Sequence, residues 1–332
     1  VSCLLNNLKQ TSCLQTDTEC LCDDAFYIDL STDCVKANCT IHDALTTKNI
    51  TATTCNEPVR NADNVINVSR AIILVFKSAF VFVRLAIKMA GISSGWGWDD
   101  YTLLVAFLVS IGMTATSFLE QKHGEGRDIW TLEFDHVSKF LKYFLVFEIL
   151  YVVTIGLLKS SLIFFYLRHF KSGNVRLALQ LTQMFNFFVI MAFGAATLLQ
   201  CQPLNFFWAG WDQGNIEDLK TGSCINMNAF TSAHAGINIA LDIWLMAIPL
   251  TQWTWMRSLH GSQKFGAFCM FGAGIFLTVI GIMRLQSLRY IAHSANMTHD
   301  YFGVLFWSSA EVGLGLVLLC LPAFRLLFTK VL

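Results

Sequence analysis

The chain has 332 residues, 55% of them hydrophobic and 13% aromatic, with only 14% charged and a mean hydropathy of +0.53. A soluble domain carries about 25% charged residues, so this composition excludes an ordinary soluble protein and makes lipid the solvent for most of the chain. The formal net charge is zero, which removes the basic field that nucleic-acid partners require.

The first segment breaks the apolar pattern. Seven cysteines fall within residues 3 to 55 (Cys3, Cys13, Cys20, Cys22, Cys34, Cys39, Cys55), and four follow far downstream (Cys201, Cys224, Cys269, Cys320). That density predicts a disulfide framework formed in an oxidising compartment. So short a segment buries too little core to fold without staples. A zinc module is the alternative, but the segment has no CxxC pair or nearby histidine cluster. The chain starts at Val1 with no signal peptide, which suggests a processed or truncated start. An eighth cysteine upstream is the expected partner for the odd one. Within "TDTECLCDD" (16–24), Asp17 stands where a helix N-cap would stand.

Seven stretches reach the roughly 20 apolar residues that cross a bilayer: 67–90, 99–119, 139–166, 177–199, 230–251, 266–289 and 302–324. The first is interrupted by Lys77, Arg84 and Lys88, spaced i, i+7 and i+11 and hence on one helical face. Such a face turns inward, or its lower members snorkel. Two independent signals orient the bundle. With the cysteine segment outside, the loops at 168–176 (Arg168, Lys171, Arg176) and 257–264 (Arg257, Lys264) fall inside and carry no acid, the positive-inside pattern. The N-x-S/T sequons at Asn38, Asn49, Asn67 and Asn296 all fall outside; Asn38, Asn49 and Asn296 are the candidate glycosylation sites, Asn67 lying close to the first span. Cys201 and Cys224 bracket an outer loop, and with no cysteine between 56 and 200 a bridge closing that loop into a lid is the economical reading. Cys269 and Cys320 lie within spans and read as buried thiols.

Catalytic motifs are weak. "GISSG" (91–95) matches G-x-S-x-G, but the nucleophile elbow needs a strand before it and a helix after it, and here it joins two membrane helices. The eight histidines form no HExxH. A retinal protein needs a lysine in its last span for the Schiff base, and 302–324 contain none. The intramembrane charges carry more information: Glu148 and Lys159 in the third span, Asp242 in the fifth, Arg284 in the sixth and Glu311 in the seventh. Such groups are costly in lipid and face the bundle interior. Arg284 and Glu311 match in depth and suggest an ion pair; Asp242 and Lys159 match less well. The network serves either packing or a two-state switch.

The cysteine segment, C-x9-C-x6-C-x-C-x11-C-x4-C-x15-C with Thr16-Asp17 ahead of Cys20 and Cys22, closely resembles the fungal CFEM domain, without that family's first cysteine. The remainder is similar to the fungal rhodopsin-like seven-helix domain. The likeness rests on "WGWDDY" (96–101), "LLKSSLIFFYLRHF" (157–170), the CQP…W…C loop, Asp242 with Pro249, Arg284, and "W…E…LPAFRLLF" (307–328). Leu326 follows Arg325 where that family usually has proline. The combination resembles the CFEM-containing G-protein-coupled receptors of fungi, a class associated with surface sensing in plant pathogens.

The resemblance implies an all-α, seven-transmembrane bundle in the plasma membrane, with a disulfide-rich helical domain at 1–60, extracellular, ahead of a seven-helix domain at 61–332. It implies a non-enzymatic receptor for an extracellular ligand, in a lipid bilayer, with Arg168, Lys171, Arg257 and Lys264 facing a heterotrimeric G protein. In haem-binding CFEM domains the aspartate before C-x-C ligates ferric iron, which would make Asp17 a haem ligand; a carboxylate suits Fe(III). Helix capping by Asp17 is the competing reading. A haem-binding or haem-transferring surface protein is the alternative function.

Overall fold

The computed structural model describes residues 2–14, 16–92, 95–212, 222–251, 261–291, 294 and 296–331, with side chains left out at 2, 261–271, 273 and 325–331. The amino-terminal domain is built from four short helices: α1 (Ser2–Asn7), α2 (Thr18–Asp23), α3 (Ala25–Asn38) and α4 (Ile41–Thr54). Each of the last three starts on a capping side chain. Asp17 Oδ1 accepts from the Cys20 N–H at 3.1 Å, Asp24 Oδ1 from Phe26 and Tyr27, and Thr40 Oγ1 from Asp43, which satisfies first-turn donors that the helix itself leaves open.

The domain's apolar core is thin, with Cys3, Val35 and Ala52 its buried apolar members, and covalent bonds make up the difference. Disulfides join Cys3 to Cys34, Cys13 to Cys20 and Cys22 to Cys55. Six of the seven cysteines are thereby paired, and Cys39, expected in the framework, is a half-exposed free thiol. Seven is odd, so one of them has no partner within the segment.

Among the described residues seven long helices follow: α5 (Asp63–Met89), α6 (Trp98–Lys122), α7 (Phe134–His169), α8 (Gly173–Leu198), α10 (Met227–Thr251), α11 (Gly261–Ile291) and α12 (Met297–Val331), with the short α9 (Phe206–Ala209) between α8 and α10. Six of the seven contain a stretch long and apolar enough to cross a membrane. The first, α5, is not among those six, and its structure shows how it accommodates its charges. Arg70, Lys77, Arg84 and Lys88 are all buried toward the bundle, while Val68, Ile72, Val75, Phe76 and Phe82 face out. Arg84 and Lys88 do not snorkel; both are held by carboxylates of α6.

α7 is the central helix, packing against α6, α8 and α12, and α12 also packs on α5 and α11. The main core gathers along α7, from Val137 and Phe140 through Phe144, Phe147 and Tyr151 to Leu158, against Leu103 and Phe107 of α6 and Leu305, Val312 and Leu316 of α12. The loop from Cys201 to Cys224 closes as a disulfide-bonded ribbon of β1 (Cys201–Gln202) and β2 (Ser223–Cys224), paired antiparallel. Trp211 of this loop donates from Nε1 to Ser138 Oγ at 3.0 Å and stacks on Phe134, laying the lid over the start of α7.

Candidate functional site

Ionic groups inside the bundle form three clusters, one at each end and one between. The end that carries the amino-terminal domain is called the cap end, and the other the far end.

At the far end, α6 opens with two adjacent acids, Asp99 and Asp100, both buried. Their four oxygens are shared among three cations. Arg84 reaches Asp99 Oδ2 at 3.0 Å and Asp100 Oδ1 at 2.6 Å, and Lys88 reaches Asp100 Oδ2 at 2.7 Å. Arg168, at the end of α7, lies 3.3 Å from Asp99 Oδ1 and 3.8 Å from Asp100 Oδ2, and donates to the Gly95 carbonyl at 2.6 Å. Arg84 also donates to the Leu319 carbonyl of α12, so this one cluster ties together α5, α6, α7 and α12. Buried charge is tolerated only when paired and hydrogen-bonded, and here every carboxylate oxygen has a cation.

Arg168, expected to face a partner, is 30% exposed and latched onto α6. Lys171 is exposed beyond the end of α7. Arg257 lies outside the described residues, as do the side chains of Lys264 and Cys269.

The middle cluster brings together residues that sequence placed on four helices. Tyr151 of α7 donates its hydroxyl to Glu311 of α12 at 2.8 Å and accepts from Arg284 of α11 at 2.6 Å, bridging a pair whose charged atoms are 4.0 Å apart. The Arg284 guanidinium also sits 3.9 Å from the Tyr151 ring centroid, a cation–π contact. About two turns toward the far end, Lys159 of α7 pairs with Asp242 of α10 and donates to the Asn238 carbonyl at 3.2 Å. This is the pair whose depth match looked poorer from sequence. Glu148, on the same face of α7, has a sheltered Oε2 without a hydrogen-bond partner among the described residues. Tyr151 escaped the sequence reading although it lies three residues from Glu148 and eight from Lys159, on the charged face.

At the cap end, Arg70 of α5 donates to Gln121 Oε1 at 3.0 Å and pairs with Glu125, which is buried in the loop after α6. Beside it Asp128, also buried, accepts from the Arg60 N–H at 2.9 Å and from Asn296 Nδ2 at 2.6 Å, while Asn296 Oδ1 accepts from the Ile129 N–H. Asn296, a candidate glycosylation site by its sequon, is therefore buried and engaged through both side-chain atoms. Attaching a sugar to Nδ2 requires an accessible amide, and of the three candidates Asn38 and Asn49 are exposed. An open cleft of about 260 Å³ lies where α4 and residues 56–59 meet the Asp128–Thr131 loop, with Asn49, Asn56, Glu57 and Trp130 in its wall.

Asp17 is exposed, and its Oδ1 caps α2. A lone anionic oxygen remains there as a donor to an iron. No grouping of three or more histidine, cysteine or carboxylate side chains suited to a bare metal ion exists among the described residues.

The family model described as the fungal rhodopsin domain matches residues 83–330, and that of the CFEM domain matches residues 1–56. The chain is similar to an SAT4 family membrane protein of Emericella nidulans, 28% identical over 235 residues, which are 70% of this chain and 54% of the relative. It is also similar to the polyenoic acids biosynthesis gene cluster protein Ba17b of Metarhizium anisopliae (24% identical, 58% and 53% covered). A third relative, fugralins biosynthesis cluster protein 2 of Gibberella zeae, is 24% identical, with 37% and 29% covered. The chain thus spans about half or less of the length of these relatives. No solved structure matches it.

Proposed function

We propose a receptor function for this chain, which belongs to the fungal rhodopsin domain family and carries a CFEM domain at its amino end. In this reading it resides in the plasma membrane with the CFEM domain outside. It binds an extracellular cue at the cap end, without catalysing a reaction, and signals at the far end to a heterotrimeric G protein.

The observation that supports it best is the far-end latch. Arg168 ends the central helix α7 on two carboxylates of α6, and the middle cluster joins the same helix to α10, α11 and α12. An ion pair that clamps one helix end to another is a two-state element: a ligand that binds the open arrangement better shifts the population by its differential affinity. Opening the latch would hand the Arg168 guanidinium to a cytosolic partner.

The test uses the full chain in lipid nanodiscs with purified fungal Gα subunits and a nucleotide-exchange readout. Asp99→Asn weakens the latch and is expected to raise basal exchange about fivefold or more, the lower range of an allosteric coupling. Arg168→Ala is expected to abolish it. Exchange indifferent to both substitutions, on every Gα and stimulus tried, would overturn the reading.

A haem-binding function is the second reading, favoured by the exposed Asp17 carboxylate within the CFEM match. Bound haem would supply a redox-active iron with Asp17 as its oxygen donor. An absorbance titration of the full chain with haem, showing a Soret shift that Asp17→Asn removes, would support it; no shift in the parent protein would exclude it.

A further inference from the structure

The cap end contains more negative charge than its cation can match. Glu120, in the last turn of α6, is fully buried, and among the described residues neither of its carboxylate oxygens has a hydrogen-bond partner. Glu125 springs from the same turn, its N–H donating to the Glu120 carbonyl at 3.1 Å, and its Oε1 is likewise unpartnered. Arg70 is the cation paired with Glu125, and among the described residues its donors are directed to Gln121 Oε1 and to Glu125 Oε2. Fully ionised, the group has two carboxylates and one cation in a buried site, an arrangement that low-dielectric surroundings disfavour. A single proton removes the excess.

We propose that Glu120 and Glu125 form a proton-binding site that couples acidity at the cap end to the seating of the amino-terminal domain. The loop that carries Glu125 is what seats it. The Gly126 carbonyl accepts from the Ala62 N–H and the Gly126 N–H donates to the Thr298 carbonyl, each at 3.0 Å. Asn61 bridges to Arg127, and Asp128 holds the Arg60 N–H. Gly126 has φ +77°, and a Cβ there would lie 2.5 Å from Ile66 Cδ1, so the loop closes directly onto the first turn of α5. Repulsion between two ionised carboxylates acts on this loop and, through Gly126 and Asp128, on the linker to α4.

Burial pushes the Glu125 carboxyl up to about 7 from an ordinary 4.5, against the opposing pull of Arg70. A carboxyl raised in this way favours the seated state most below its ordinary value, and the stabilisation is lost as pH rises from about 4.5 to about 7. Other charges approach the site from each neighbouring element. Asp63 of α5 is paired with Arg127. His123 of the loop lies against Tyr143 and His136 of α7, with Lys139 and Asp135 beyond. His299 and Asp300 pair in the first turn of α12.

The experiment is hydrogen exchange on the full chain in nanodiscs, at about pH 5 and about pH 8 after correction for intrinsic rates. Protection of residues 55–66 and 123–131 is expected to fall at least about tenfold between the two, each pKa unit of the shift being a factor of ten. Glu120→Gln is expected to abolish that difference while retaining protection at the higher pH. If that variant fails to fold, Glu125→Gln makes the same test. The proposal is overturned if the parent protein shows no pH difference, or if Glu120→Gln and Glu125→Gln both keep it. It is also overturned if His123→Asn or His136→Asn alone removes it. Replacing sodium by choline at equal ionic strength separates a proton from a bound cation: sodium-dependent protection at the higher pH, lost in Glu120→Gln, would reassign the site to the metal ion.

Discussion

Single side chains here do work that their sequence context only half reveals. Asp17 caps α2, a contact worth about 1 kcal/mol. Asn is as good a cap as Asp but carries no charge, so Asp17→Asn should leave the thermal midpoint of the amino-terminal domain unchanged, whereas Asp17→Ala lowers it by the cost of the cap. Haem binding, if present, is lost in both, and the two variants separate the roles. Asn296 gives a second test at this scale. Both its polar side-chain atoms are committed to Asp128 and Ile129, so glycosidase treatment of the protein from a eukaryotic host should release sugar from Asn38 and Asn49 only. Removing both of those sequons should abolish the shift in mobility. A residual shift that Asn296→Gln removes would show that the side chain is exposed before the loop closes.

At the scale of the element, α5 is the informative helix, because it carries four buried basic residues with unlike partners. Arg84 is enclosed by Asp99, Asp100 and the Leu319 carbonyl. Among the described residues Lys77 has the Ser110 carbonyl at 2.9 Å and the Thr114 hydroxyl at 2.8 Å as partners, and no carboxylate. Removing one member of a buried, paired set costs about 3–5 kcal/mol, while replacing a poorly compensated charge by a well-packed apolar chain is often neutral or stabilising. Arg84→Met is therefore expected to lower the melting temperature in detergent sharply, and Lys77→Met to leave it unchanged or raise it. Equal losses would mean that the helix tolerates its charges through water rather than through pairing.

For the whole molecule, the question is what joins the amino-terminal helices to the bundle. The contacts converge on the loop after α6, where Asp128 accepts from the linker at Arg60 and from α12 at Asn296, and where Ile129–Thr131 packs against α4. Asp128→Ala removes both acceptors at once and leaves buried donors unsatisfied, at about 1–3 kcal/mol each. The amino-terminal domain should then exchange amide hydrogens faster along residues 55–62 while its own disulfide-bonded helices stay protected. The membrane helices should keep their protection too, because the far-end and middle clusters do not involve the loop.

Much of this was legible in the amino-acid order. Long apolar runs must become helices in lipid, since no other local structure satisfies the backbone there, and a cysteine-dense segment with little apolar content must be stapled. The spacing of Lys77, Arg84 and Lys88 already put them on one face, and the bracket of Cys201 and Cys224 already suggested the closed lid. Tertiary structure alone decided the partners. Asp99 and Asp100 entered the sequence pattern only as part of "WGWDDY", and only packing against α5 and α7 shows them gathering three cations; the same packing turns Arg168 onto α6 and Asn296 into a buried anchor. Periodicity fixes the direction of a side chain around its own helix axis, whereas an ion pair also depends on the depth and rotation of a second helix, and those are set by how the bundle closes.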